Sequence, residues 1–253
     1  LLLLDTYDTL KSGLPNALKV FDELAASGHR PRGVRMDSGD LAYLSKKIRK
    51  VLDDHGYPDA KICASGDLDE YSIRSLLSQG AKIDIWGVGT KLITSEDVPS
   101  LGGVYKLSAV KRGETYEPRI KISENIVKIT NPGFKKLVRI YDRENMAQAD
   151  LIMLREEEID ASKPLTIFHP VETWKKTTFT DYRVENLHEQ VIRDGELVKP
   201  LPSFSETVAH AKAEKASFYE EYKRLDNQQI YKVDLSQGLY EVKRGLIDKY
   251  HNN

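Results

Sequence analysis

The chain has 253 residues, 40% of them hydrophobic and 30% charged, which excludes a disordered polymer and allows one large domain or two smaller ones. Its 38 basic and 39 acidic side chains give a formal net charge of −1, which argues against broad electrostatic binding of nucleic acid. The single cysteine, Cys63, excludes an intrachain disulfide and fits a reducing compartment, so the cytoplasm is the expected location, and no stretch is long and apolar enough to cross a membrane.

Residues 1–4 (Leu1, Leu2, Leu3, Leu4) read as a fully buried parallel strand, too short for a signal peptide or anchor. A chain that opens inside a core element is expected to be the later portion of a longer protein. Further strand cores are expected at 33–36, 61–64, 83–86 and 103–107, with Cys63 as a buried strand residue. Helical periodicity separates them. Leu14, Ala17, Leu18, Phe21, Leu24 and Ala25 share one face over residues 14–26, with Pro15 suited to a first turn. Leu41, Leu44, Ile48, Val51 and Leu52 do the same over 41–54, with Gly56 just beyond. A third helix is expected over 68–79, with Asp67, Asp69 and Glu70 at its start and Gly80 after it. This alternation predicts right-handed βαβ units and a parallel sheet forming part of a barrel over residues 1–110.

From 111 to 253 the pattern changes. Asp142-Arg143-Glu144-Asn145 and Asp194-Gly195 read as hairpin turns between apolar runs. Ser203 and Glu206 form a capping box opening a helix over about 205–225, whose Val208, Ala211, Ala216, Tyr219 and Tyr222 are expected to pack inward. A last helix is expected over about 239–250. The basic cluster Lys135, Lys136 and Arg139, with Lys121 and Lys128, reads either as a solvated hairpin face or as part of a polyphosphate pocket beside the Asn131-Pro132-Gly133 turn.

Chemistry in parallel α/β architectures gathers at the carboxyl ends of strands. Four such ends carry polar clusters here: Asp5 to Thr9, Arg35 to Asp40, Ser65-Gly66-Asp67, and Gly87-Val88-Gly89-Thr90. Each has a plain alternative. Asp5 and Asp8 serve as caps, Ser38 or Asp40 as an ordinary helix N-cap, and Ser65-Gly66-Asp67 as a simple loop. The Gly87 segment is not a P-loop, since the Gly-Lys-Ser/Thr ending is absent, nor a dinucleotide fingerprint, since Leu92 occupies the slot of a third glycine. Convergence on one rim is what gives the four their meaning. Glycine N–H groups and the Thr90 hydroxyl suit phosphate, Arg35 suits a carboxylate or phosphate, and Asp37 suits ribose hydroxyls.

The segments DTYDT (5–9), GVRMDSGDL (33–41), GVGT…SLGGVYKL (87–107) and KISENIVKITNPGFKKLVRIYD (121–142) resemble nicotinate phosphoribosyltransferase, in the right order. The resemblance implies an α/β fold: an irregular parallel barrel of the type II phosphoribosyltransferase kind, incomplete here, with a C-terminal α+β extension and a homodimeric assembly. It implies an ATP-dependent enzyme of NAD salvage that joins nicotinate to 5-phosphoribosyl 1-pyrophosphate, giving nicotinate mononucleotide and pyrophosphate, with Mg²⁺ as cofactor and no nucleic-acid or membrane partner. By motif position Arg35 contacts nicotinate, Asp37 is the catalytic carboxylate near the ribose, and Gly87, Gly89 and Thr90 hold the phosphoribosyl donor. Ser38, Gly66 and Asp67 join the substrate-binding set. Asp5 and Asp8 are metal or ribose partners.

The family's phosphorylated histidine precedes DTYDT and its N-terminal domain precedes that, so neither is expected in this chain, which alone is expected to be inactive. His29, His55, His169, His188, His210 and His251 all lie outside that motif and read as surface or satisfied core residues. Nicotinamide phosphoribosyltransferase is the nearest rival, because it shares the Arg-x-Asp-Ser-Gly pattern. The decarboxylating quinolinate enzyme would require more basic residues. A non-catalytic barrel module lacking the histidine is the alternative from another class.

Overall fold

The computed structural model describes residues 1–125, 128–172 and 174–251, without the side chain of His251. Ile126 and Val127 of the 121–142 motif, and the side chain of His251, lie outside the described residues. The chain divides into two compact units, Leu1–Gly103 and Val104–Asn253.

The first unit is a four-stranded parallel sheet in the order β1 (Leu2–Leu3), β2 (Gly33–Met36), β3 (Lys61–Ala64) and β4 (Ile85–Trp86). Helices α1 (Leu14–Ala26), α2 (Leu41–Asp54) and α3 (Glu70–Ser78) make the crossovers, and the short α4 (Thr90–Thr94) follows β4. Consecutive right-handed crossovers place all three long helices on one face. There Leu14, Leu18 and Phe21 of α1 and Ile48 and Leu52 of α2 enclose Val34, Met36, Ile62 and Ala64 of the strands in one core. A single π-type turn over Thr9–Gly13 leads into α1, with the Gly13 N–H on the Asp8 carbonyl at 2.8 Å. Gly13 is required there, since a Cβ would lie 1.9 Å from the Leu4 carbonyl oxygen.

The other face of the sheet is bare. Register aligns Leu3, Arg35, Cys63 and Ile85 in one row across the four strands. Leu3 is 52% exposed and Ile85 42% exposed, while Cys63 is buried. The first strand is therefore not buried throughout as expected: Leu4 belongs to the core, but Leu1 and Leu3 have no covering layer. The fold is mixed α/β, and its parallel sheet is open among the described residues. No strand forms at 103–107. Gly102 and Gly103 interrupt the segment, no neighbouring strand supplies hydrogen-bond partners, and Leu101, Val104 and Tyr105 stand in solvent.

The second unit begins with the hairpin β5 (Ala109–Arg112) and β6 (Thr115–Pro118). Its main sheet contains β7 (Lys135–Tyr141), β8 (Ala147–Leu154), β9 (Leu165–Phe168), β10 (Lys176–Phe179), β11 (Arg183–Asn186) and β14 (Lys232–Leu235), in the order β10-β9-β14-β8-β7-β11. Only the β14–β8 pair is parallel. Asp142 to Asn145 form the β7–β8 turn, and Asp194-Gly195 joins the small hairpin β12 (Ile192–Arg193) and β13 (Glu196–Leu197), both as expected. Helix α6 (Gln237–His251) lies against β8 and β9, and its Tyr240 stacks on Phe168 with ring centroids 4.7 Å apart.

The Ser203–Glu206 capping box opens α5 (Phe204–Ala216), which ends nine residues earlier than expected. Its stripe packs inward only in part: Val208, Tyr219 and Tyr222 are half-buried, but Ala211 and Ala216 are exposed, because alanines bury too little surface to hold a helix down. Packing resumes after it, where Phe218, Tyr222 and Tyr231 meet edge to face.

Candidate active site

Arg35 leaves the middle of β2 on the bare face. Its Nε donates to the Ser65 Oγ at 2.8 Å and its Nη2 to Asp37 Oδ1 at 3.0 Å. The Ser65 hydroxyl donates to that same Asp37 oxygen. One step along the rim, Asp5 Oδ2 accepts the Asp37 backbone N–H at 2.9 Å and the Ser38 hydroxyl at 2.5 Å. The ends of β1, β2 and β3 are thus laced into one network. Gly66 makes this approach possible: its φ is +98°, and a Cβ would stand 2.3 Å from the Asp37 carbonyl oxygen. The Gly87 N–H closes the fourth strand end on the Ala64 carbonyl at 2.7 Å.

Both carboxylates are held ionised. The Ser65 hydroxyl, then the Arg35 guanidinium, keep Asp37 below the usual carboxylate range. At Asp5 partial burial opposes ionisation, but the Ser38 hydroxyl and the Asp37 N–H outweigh it and lower the pKa. The rim therefore presents one cation and two anions. Arg35 and Asp37 are each about half exposed, 47% and 46%, so the pair adds little to stability and its groups remain reachable.

Asp5, Arg35, Asp37, Ser38, Gly66 and Gly87 meet on this rim. Ser65 is the hub of the network; its signal in the sequence was its place at a strand end, one residue past the β2–β3 register pair Met36–Ala64. The other candidates stand apart from the network. Asp8 accepts the backbone N–H groups of Leu10 and Lys11 at 3.0 and 2.8 Å, so it caps the turn before α1. Asp40 is the N-cap of α2, and Ser38 is not. Asp67 is exposed at φ +46° in the loop after β3. Gly89 and Thr90 open α4 without a hydrogen bond to the Arg35 cluster among the described residues. Asp69 is a contact that the sequence reading missed: it caps α3 and takes the Lys91 ammonium at 2.8 Å, tying the loop after β3 to α4. That pair, led by the Lys91 hydrogen bond, holds Asp69 far below the usual range.

The basic cluster of the second unit is largely spent internally. Lys135 donates to the carbonyls of Asn131 and Gly133 at 2.8 and 2.7 Å, and Arg139 is engaged by Asp150 and Glu214. Neither is a solvated face, because each bonds to its own fold; Lys121 and Lys128 are exposed. His169 uses its Nδ1 to accept the N–H groups of Val171 and Glu172, a structural role. Among the described residues no group of three or more His, Cys, Asp or Glu is placed to hold a metal ion, and no helix is long and apolar enough to cross a membrane.

A parallel α/β sheet with a guanidinium and two carboxylates laced across its carboxyl ends defines an α/β protein whose candidate site is that rim. Residues 134–243 match the family model described as the nicotinate phosphoribosyltransferase C-terminal domain. The chain is 46% identical over 95% of its length to the nicotinate phosphoribosyltransferase of Bacillus subtilis (strain 168), covering 49% of it. It is 38% identical over 95% of its length to that of Caenorhabditis elegans, covering 44%. The crystal structure of human nicotinic acid phosphoribosyltransferase superposes on 97% of this chain with a TM-score of 0.76 and 32% identity, 46% of that chain being covered. Over nearly its whole length the chain is thus similar to nicotinate phosphoribosyltransferases. It spans about half the length of the curated relatives it matches.

Proposed function

We propose that the protein containing this chain joins nicotinate to 5-phosphoribosyl 1-pyrophosphate, with ATP hydrolysis, as an entry step of NAD salvage in the cytoplasm. The names of its relatives support this reading, and the laced rim of Asp5, Arg35, Asp37, Ser38 and Ser65 carries it. In the reaction the C1′–O bond to pyrophosphate breaks, its electron pair leaves with pyrophosphate, and the nicotinate ring nitrogen supplies the pair for the new C1′–N bond. The two ionised carboxylates, Asp37 foremost, stabilise positive charge as it develops on the ribose. Arg35, already steered by Ser65, offers the rest of its planar fork to the nicotinate carboxylate and so aims the ring nitrogen. Gly87, Gly89 and Thr90 would approach the phosphates from the fourth strand end, with Gly66, Asp67 and Ser38 along the wall.

The residues fit Mg²⁺ only as an ion shared with substrate. Asp5 and Asp37 lie side by side, one or two protein carboxylates being usual when phosphates complete the shell. Asp8 is committed to its cap. Bound there, the ion would neutralise the departing pyrophosphate.

The bare face bearing Leu3, Arg35 and Ile85 supports the barrel reading, because parallel sheets are stable with both faces covered. Closure by the remainder of a longer chain, in a homodimer, would make that face an interior. The test is a competition between nicotinate and nicotinamide on the full-length protein. Nicotinate is expected to be consumed with ATP-stimulated formation of its mononucleotide. Conversion of nicotinamide alone would overturn the assignment.

A further inference from the structure

The second unit contains a cavity of about 260 Å³ beside helix α6 that the proposed reaction does not use. Five of its walls are apolar or aromatic: Ile129, Pro170, Val171, Tyr240 and Ile247. The other two groups are cations, Lys243 and Arg244.

Lys243 is only 7% exposed. Its ammonium donates to Asn131 Oδ1 at 2.8 Å and to the Pro170 carbonyl at 3.0 Å, both neutral acceptors. An ammonium carries three N–H donors, so one is left over on a group that lines the cavity. No carboxylate among the described residues lies within ion-pair distance of it. Arg244 is scarcely more committed: its nearest carboxylate, Asp248, is 4.0 Å away, and its Nη1 reaches the Tyr240 hydroxyl at 3.3 Å. A buried cation without a counter-charge is costly, and burial accordingly lowers the Lys243 pKa. A fold that needed only a tie between α6 and the Asn131 and Pro170 segments would be served by a neutral donor. The charge has a use where an anion arrives from outside.

The geometry points to a second ligand site: a pocket for a small carboxylate with an apolar body, its head on Lys243 and Arg244 and its body against Ile129, Pro170, Val171 and Ile247. A phosphate is disfavoured, because its greater charge needs several donors and polar walls where this cavity offers two cations and an apolar lining. The volume lies just below the range of about 300–1,000 Å³ that holds drug-sized ligands, so the occupant is smaller than those.

The test is ¹⁹F NMR of 4-fluorobenzoate with the full-length protein, competed by hexanoate and, separately, by inorganic phosphate. Wild type is expected to bind the probe and to release it to hexanoate but not to phosphate. Lys243→Met should weaken binding by roughly tenfold or more. Ile247→Trp should do the same by filling the cavity while both Lys243 hydrogen bonds remain, which covers the case in which Lys243→Met fails to fold. Arg35→Gln removes any binding at the rim, which is proposed to take an aromatic carboxylate, and should leave the Lys243-dependent binding in place, so the result stands apart from the rim and its proposed reaction. Absence of binding to wild type, unaltered binding to Ile247→Trp, displacement by phosphate, or loss of binding in Arg35→Gln would each overturn the assignment.

Discussion

Each unit contains an arginine in the middle of a strand, hydrogen-bonded to an aspartate, and the two pairs do opposite work. Arg139 of β7 is 12% exposed and grips Asp150 with Nε and Nη2 at 2.7 and 3.1 Å. Its Nη1 takes Glu214 at 2.7 Å, and its guanidinium lies 4.9 Å from the Phe218 ring centroid. The Tyr231 hydroxyl adds a third bond to Asp150 at 3.0 Å. All three nitrogens of that guanidinium donate to carboxylates. Arg35 of β2 is half exposed, and its bonds to Ser65 and Asp37 leave donors free toward the bare face. An arginine held at all three nitrogens by its own fold is structural; one that is aimed but keeps a nitrogen free suits the ligand role proposed above.

Five substitutions would break or sharpen that contrast. Asp37→Asn should lower kcat in the full-length protein by about 10²–10³-fold, because it removes charge stabilisation of the transition state while keeping shape. A kcat within a few-fold of wild type would remove Asp37 from the chemistry. Arg139→Met should cost about 3 kcal/mol of stability, since it leaves Asp150 buried without its partner. The unfolding midpoint in urea reports this. Arg35→Gln should leave that midpoint unchanged while raising the KM for nicotinate, and equal midpoints for the two variants would erase the distinction drawn here.

Gly66→Ala should cost about 2 kcal/mol, because the methyl meets the Asp37 carbonyl in a backbone conformation that alanine resists. Thermal unfolding together with kcat is the readout, and unchanged values for both would show that the rim tolerates a gap between β2 and β3. The smallest effect is one of sign. Burial raises the Asp234 carboxyl pKa above 3.8, only partly offset by His169 and Lys232, whereas Asp37 is lowered. An acid with a raised folded pKa is destabilising above that pKa, and the penalty fades as pH falls toward 3.8, where both states become protonated. Asp234→Asn should therefore stabilise the protein near neutral pH by an amount on the order of 1 kcal/mol, the gain shrinking as pH is lowered. A gain that grew on acidification would contradict the burial argument.

The local elements were legible because their causes are local. The apolar stripes of α1 and α2, the Asp194-Gly195 turn and the Ser203–Glu206 box each act within a few residues, and all appear where the pattern placed them. Residues 103–107 misled for the same reason: an apolar run proposes a strand, but only a neighbouring strand can accept it. The rim was legible as a set of strand ends, not as a wiring diagram. Asp5 and Asp8 are equivalent as sequence, yet one holds the Asp37 backbone and the other caps a turn.

By itself the sequence determined the βαβ grammar, the parallel direction of the first four strands and the residues delivered to their ends, since periodicity and turn chemistry act along the chain. Tertiary structure decided which of those ends share a network, why Ser65 is its hub, and that Arg139 rather than Arg35 is locked. Those outcomes depend on register across strands 28–30 residues apart, where a shift of one position would turn each side chain to the opposite face.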